Sequence, residues 1–240
     1  MRAFFLDNLD ESCINKELII DGDSFKHIKV VRLKTNEVVM LLNGRGTKVL
    51  AKLVDMDKKN ATFFVEKLQP PSPKPIWDLA IGLVKKDAFD LCLKMATELG
   101  VGTIYPLLTE YSQRYELNMQ RAERLVVQAL EQSNSSWMPE ISQPIVIDDF
   151  INKNVDNNKN YSRLICMGMT SKETASSMSS VSGRTLGFIG PEGGFSPVEE
   201  EKLATLSSAC SIHLPTPILR APTALAALAG VIFTKQNLLD

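Results

Sequence analysis

Leu186-Gly187-Phe188-Ile189-Gly190-Pro191-Glu192-Gly193-Gly194-Phe195-Ser196 runs from a short apolar strand, through a glycine-rich turn, into the start of a helix. The strand stops at Gly190. Ser196-Pro197-Val198-Glu199 then offers Ser at the N-cap, Pro at the first helical position and Glu at the third, a capping box. Glycines supply positive φ and let backbone approach a ligand closely. Open α/β sheets bind ligands at loops on the carboxyl ends of their strands. A cradle for a nucleotide-like cofactor and a plain strand-to-helix turn both fit this composition. The loop lacks the Gly-Lys-Ser/Thr of a Walker A motif and the GxGxxG of a dinucleotide fold.

Downstream, His213-Leu214-Pro215-Thr216-Pro217-Ile218-Leu219-Arg220-Ala221-Pro222-Thr223-Ala224 repeats the theme. A strand enters an irregular, proline-stiffened turn, and a helix follows Pro222. Arg220 sits just before that helix, where it can reach phosphate or stabilise negative charge, or simply lie exposed beside the cap. Upstream, strands are expected at Leu79–Val84, Thr103–Leu108, Ile145–Ile147 and Leu164–Met167, with Ile212–Leu214 after the glycine loop. Asp87 is a plausible N-cap for a helix through Leu99, with Gly100 just beyond its end. Met119, Ala122, Leu125, Val126, Ala129 and Leu130 recur at helical spacing. Strands alternating with helices predict a mostly parallel α/β sheet. The Asn-rich stretch Asn152–Asn160 reads as a solvated loop.

The first 70 residues read differently. Val38–Leu42 ends at Asn43-Gly44, a strong hairpin signal, and Lys48–Val54 is the return strand. Asp57–Asn60 turns the chain into Ala61–Val65, and a short basic helix is expected from Ser24 to about Leu33. This is the pattern of a small β-barrel. Four prolines between Pro70 and Pro75 can neither pair in a central strand nor continue a helix. The organisation expected is residues 1–70 as a barrel, 71–76 as a proline-rich linker, and 77–240 as the α/β domain.

Composition narrows the class. With 240 residues, 44% hydrophobic and 23% charged, the chain can bury a sizeable core. Its longest apolar run, near Thr223–Phe233, is short of the roughly 20 residues a membrane span needs. The N-terminus shows no signal-peptide h-region, so the cytoplasm is the expected location. Cys13, Cys92, Cys166 and Cys210 form no CxxC pair, which argues for buried free thiols and no metal site. Net charge is −1, split as +2 over residues 1–70 and −3 over the rest, so any nucleic-acid contact must come from local patches.

"IGPEGGFSPVEEEKL", followed some twenty residues later by "LPTPILRAPTALAAL", resembles the RsmE-type SPOUT methyltransferases, which methylate N3 of a uridine in 16S ribosomal RNA. "LVKKDAFDLCLKMATELGV", "IYPLLTEYSQR" and "ALEQS" resemble that family's other blocks in order, and "HIKVVRLKTNEVVMLLNGRG" resembles its PUA-like RNA-binding domain. The resemblance covers nearly the whole chain. It implies an α/β domain with a deep trefoil knot after a PUA-like β-barrel, a homodimer, S-adenosyl-L-methionine (SAM) as cofactor, and 16S rRNA of the 30S subunit as partner. The cofactor loops would map to Met167-Gly168-Met169, Gly190–Gly194 and Leu214–Leu219. Cofactor contacts expected are Met167, Gly168, Gly190, Pro191, Glu192, Gly193, Gly194, Leu214, Pro215, Ile218, Leu219 and Thr223.

For the chemistry, Arg220 is expected to stabilise charge, and Glu192 to act as base or in positioning, although a carboxylate there also suits a helix N-terminus. RNA contacts are expected from Arg2, Lys26, His27, Lys29, Arg32, Lys34, Lys85 and Arg114, with Arg45 a further candidate. Lys26, Lys29 and Arg32 recur at three-residue spacing, as on one helix face. The family's last motif usually reads Leu-Gly-Pro-Arg-Ile-Leu-Arg-Thr-Glu-Thr-Ala. Here Pro215, Pro217, Ala221 and Pro222 depart from it, as Tyr111 does from an Arg, and Asn134 and Ser135 from Gly and Arg. An RNA-binding protein of the same fold with weak or lost methyl transfer therefore stands beside the active enzyme as a reading. An unrelated nucleotide enzyme is disfavoured by the missing fingerprints.

Overall fold

The computed structural model describes residues 1–156, 161–167, 178–180 and 182–235. By compactness the chain divides into Met1–Lys74 with Val127–Met138, and Pro75–Val126 with Pro139–Asp240. The return of Val127–Met138 to the first unit has no counterpart in the sequence reading.

In the first unit, β1 (Ala3–Phe5), β2 (Glu17–Ile20), β3 (Val38–Leu42), β4 (Lys48–Met56) and β5 (Ala61–Leu68) form one sheet in the order β1-β3-β4-β5-β2. β1 runs parallel to β3, and the remaining pairs are antiparallel. Period-two alternation turns Val49, Ala51 and Leu53 of β4 and Ala61, Phe63 and Val65 of β5 into the core. The Asn43-Gly44 signal holds, with a specific reason for the asparagine. Its Oδ1 accepts the N–H groups of Arg45 and Thr47 at 2.8 and 3.0 Å, and its Nδ2 donates to the Leu9 carbonyl at 3.0 Å. α1 spans Gly22–Val30, shorter than expected. Val31 caps it, and Arg32 turns left-handed at φ 53°, so Arg32 leaves the helix face that Lys26 and Lys29 share.

The second unit holds β6 (Trp77–Gly82), β7 (Val101–Leu108), β8 (Glu140–Ile141), β9 (Ile145–Val146), β10 (Arg163–Met167), β11 (Thr185–Ile189) and β12 (Ala209–Ile212). Among the described residues they make a parallel sheet in the order β12-β10-β11-β6-β7-β8, with β9 also on β7. All six residues of β6 are buried, as a central parallel strand requires. α2 (Lys86–Glu98), α4 (Ile147–Phe150), α5 (Pro197–Thr205) and α6 (Ala221–Lys235) accompany it. α3 (Met119–Ser133) begins in this unit and ends in the first.

Several expected ends move. Asp87 lies in the first turn of α2, and Lys85 is its cap. β9 stops at Val146, where Ile147 opens α4, and a π-helical turn (Ile151–Asp156) occupies the start of the expected loop. β12 ends at Ile212 rather than at Leu214, because the prolines that follow cannot donate to a ladder. α6 starts at Ala221, with Pro222 in its first turn, where a missing N–H costs nothing. The expected capping box on α5 is present: Ser196 accepts from the Glu199 N–H, and Glu199 accepts from the Ser196 N–H at 2.8 Å.

A buried ionic knot ties the amino ends of the central strands. Asp78 is 1% exposed and accepts from Arg184 Nη2 and Nε at 2.6 and 2.8 Å, from Tyr161 Oη at 2.7 Å, and from the Thr103 N–H at 2.7 Å. Burial first, then hydrogen bonding to Tyr105 and to Asp78, raises the Tyr161 phenol above the usual tyrosine range. None of the four cysteines is in a disulfide; Cys92, Cys166 and Cys210 are buried, and Cys13 is only half-buried.

Candidate cofactor site

Parallel register fixes where the loops emerge. Met167 is the partner of Ile189 on one side and of Ile212 on the other, so β11, β10 and β12 end side by side. The chain segments leaving these three strands therefore start at one edge of the sheet, as open α/β folds require of a ligand site. A cavity of about 350 Å³ lies there. Of the residues expected to hold cofactor, Met167, Gly190, Pro191, Glu192, Gly194, Leu214, Ile218 and Leu219 line it, and so does Arg220. Pro215 and Thr223 stand on its loop and helix but not in its wall, and Gly168 lies outside the described residues. The wall also includes Ile189, Phe195, His213, Thr216, Pro217, Ala221 and Ala224. Of these, His213 carries no motif signal. Its place follows only from the end of β12.

The glycine loop is folded tightly on itself and its neighbours. A Cβ on Gly190 would lie 3.0 Å from the Gly194 carbonyl carbon, and one on Gly82, at the end of β6, would lie 2.5 Å from Pro191. Gly194 needs its positive φ of 75°. Gly193 has a different reason: a Cβ there would meet the Tyr111 Cβ at 2.9 Å and its ring at 3.2 Å. Glycine at 193 thus makes room for a side chain from the turn after β7, outside the cavity wall.

Glu192 places its Oε1 2.9 Å from the Lys85 N–H, so it caps the start of α2. That bond ties the glycine loop to α2 and commits one carboxylate oxygen to a structural contact. Glu199 acts likewise: beyond its capping box, its Oε1 accepts the Glu110 N–H at 2.8 Å. Arg220 precedes α6, and its carbonyl accepts the Ala224 N–H at 2.8 Å. Arg220 and Ala221, the first residue of α6, both line the cavity, so the positive end of the α6 dipole lies at its wall.

The expected RNA contacts divide between the two units. Lys85 and Arg114 belong to the second, where Arg114 Nη2 lies 3.4 Å from the Thr109 carbonyl. In the first, Arg2 pairs with Glu37 at 2.9 Å, and Arg45 with Asp7. Lys29 arches over the Phe25 ring with Nζ 5.6 Å from its centroid. His27 Nδ1 lies 3.3 Å from Glu131 Oε2, beside an open hollow of about 400 Å³ also lined by Arg2, Gln128 and Gln132. Burial raises the Glu131 carboxyl above the usual range despite its hydrogen bond from the Phe5 N–H.

The family model described as RNA methyltransferase domain matches residues 70–233, more than half the chain, and the one described as RNA methyltransferase PUA domain matches residues 20–66. A protein of Rickettsia conorii named ribosomal RNA small subunit methyltransferase E is 36% identical over 221 residues, covering 90% of each chain. This chain belongs to the ribosomal RNA small subunit methyltransferase E family. Solved structures of similar shape agree on the fold. The Neisseria gonorrhoeae methyltransferase E, bound to S-adenosyl methionine, superposes with a TM-score of 0.87 at 24% identity, over 98% of this chain and 97% of that one. A probable rRNA-methyltransferase from Porphyromonas gingivalis gives 0.76 at 26% identity over 98% of both. The mixed α/β fold with a PUA-type first unit is therefore that of the methyltransferase E family.

Proposed function

We propose that this chain transfers a methyl group from SAM to N3 of a uridine in 16S rRNA of the small ribosomal subunit. The observation that carries the reading is the mainly apolar cavity at the joint carboxyl ends of β10, β11 and β12, with Arg220 and the start of α6 in its wall. Its 350 Å³ falls within the roughly 300–1,000 Å³ typical of small-molecule sites. Ile189, Pro191, Leu219 and Ala224 offer apolar wall for an adenosyl group, and Glu192, His213 and Thr216 offer polar edges. The glycine cradle, which an added Cβ on Gly190 would fill, suits close backbone approach. When bound, SAM supplies the electrophilic methyl, so the protein need only orient and polarise.

Methylation at N3 requires loss of the imide proton, and negative charge then spreads over the uracil ring. Arg220, a residue of the cavity wall, and the α6 dipole would stabilise that charge as it forms. Glu192, tied to Lys85, serves the reading better as a clamp on the glycine loop than as the proton acceptor. Arg2, Lys26, His27, Lys29, Arg32 and Lys34 of the first unit, with Lys85 and Arg114 of the second, would position rRNA through its phosphates. A homodimer fits the same reading, since Ile218 on the cavity loop is 99% exposed and an apolar side chain so placed suits a partner surface.

Calorimetric titration with SAM tests the pocket. Micromolar binding is expected, and Arg220→Ala should lower kcat about 100-fold with SAM affinity nearly unchanged. Absence of SAM binding up to millimolar concentration would favour the second reading, an RNA-binding protein without transfer. The departures at Pro215, Pro217, Ala221 and Pro222, above all the missing Arg and Glu at 217 and 222, are what sustain it.

A further inference from the structure

Tyr111 is a large aromatic side chain, 45% exposed, in a turn where almost everything else is fastened. On its amino side, Thr109 is buried and its N–H donates to Ser112 Oγ at 3.0 Å, and the Glu110 N–H donates to Glu199 Oε1 at 2.8 Å. On its carboxyl side, Ser112 Oγ also donates to the Leu107 carbonyl at 3.1 Å, and the Gln113 N–H donates to the Leu83 carbonyl at 2.8 Å. The base of the ring rests on Gly193, where any Cβ would collide with it. Gly193 lies between Glu192 and Gly194, two residues of the cavity wall. The fold thus spends a glycine and several buried hydrogen bonds to hold one solvent-facing aromatic ring next to the cofactor cavity.

We propose that Tyr111 is the stacking platform for the target nucleobase, holding the uracil ring flat beside the methyl donor. The inference rests on the methyl-transfer reading above. The physical case is that a reacting base must be unstacked from its RNA neighbours, and an exposed aromatic face recovers the lost stacking. A rigid pedestal fixes the plane of that face, which in-line transfer needs. The phenol oxygen has no part in it; the ring does.

The test uses the full-length protein, SAM, and 30S subunits assembled from unmodified 16S transcript, with three variants: Tyr111→Phe, Tyr111→Leu and Tyr111→Ala. Base-on-aromatic stacking of about 1–3 kcal/mol corresponds to roughly a 5- to 150-fold rise in KM for the 30S substrate. That rise is expected for Ala and for Leu, whereas Phe should stay within about twofold of the natural protein. SAM affinity by calorimetry should be unchanged in all three, which separates lost stacking from a loosened glycine loop. A Leu variant as good as Phe would overturn the proposal, because plain apolar contact would then suffice. An Ala variant with weakened SAM binding, or with a shifted sedimentation coefficient and an unchanged 30S KM, would also overturn it, assigning Tyr111 to the loop or to a subunit contact. If the natural protein transfers no methyl group to these subunits, the methyl-transfer reading fails and takes this inference with it. Transfer with an indifferent KM in the Ala variant defeats the inference alone.

Discussion

At the scale of the residue, the glycine loop shows what a sequence can and cannot disclose. Gly190 and Gly194 were legible from the strand-turn-helix pattern, since close backbone approach and positive φ are local demands. Gly193 looked like their equal, yet it answers to Tyr111, some eighty positions earlier in the chain, and no local pattern connects the two. Glu192 likewise read as a base or a helix-end carboxylate, while its contact is the Lys85 N–H beyond the end of the neighbouring strand β6. Replacing Glu192 by Gln keeps an acceptor for that N–H, so activity should fall less than about threefold, without a change in the pH–rate profile. Glu192→Ala removes the acceptor and should cost about 1 kcal/mol of stability, read from denaturant titration. A Gln variant that loses most of its activity and shifts the profile would restore Glu192 as the proton acceptor.

At the scale of the element, the best-read feature was the α5 capping box, because all its partners lie within four residues. The second bond of Glu199, to the Glu110 N–H, was hidden by the same locality. β1 and β2 went unread because three- and four-residue strands carry too little alternation. The Asp78–Arg184–Tyr161 knot also escaped, since its members come from three strand starts distant in sequence. Arg184→Ala would strand the buried Asp78 charge and should cost about 3 kcal/mol, seen as an earlier unfolding midpoint in urea. The tyrosines add a pH signature. Burial raises Tyr161, and burial first, then the charges of Asp90 and Glu192, push Tyr115 up to about 12, against 10 for both when unfolded. Both phenols therefore favour folding fully below pH 10, and that contribution is lost as the pH climbs through their folded values. Stability measured from pH 9 to 12 should decline, and Tyr161→Phe should flatten the decline.

At the scale of the whole molecule, the α/β alternation and the proline run announced two organisations of chain, and the family likeness accounts for both. The excursion of Val127–Met138 into the first unit could not be foreseen, because a helix with one continuous periodicity gives no sign of changing company along its length. Global charge was silent about RNA, with a net −1 split only mildly, as +2 over residues 1–70 and −3 over the rest. Affinity for rRNA should nonetheless fall with salt in proportion to the few phosphates neutralised, and Lys34→Ala should reduce the slope by about one. Ligand linkage reports on the second unit. At one hundred times its dissociation constant, SAM should add about 2.7 kcal/mol, a rise in Tm of roughly 5–10 °C for a chain of this size.

The most direct test of the central claim is nucleoside mass spectrometry of 16S rRNA recovered after incubation of the protein with SAM and unmodified 30S subunits. The account predicts one new N3-methyluridine per subunit, strongly diminished with Arg220→Ala. An unmethylated RNA despite SAM binding, or a methyl group at any position other than uridine N3, would contradict it.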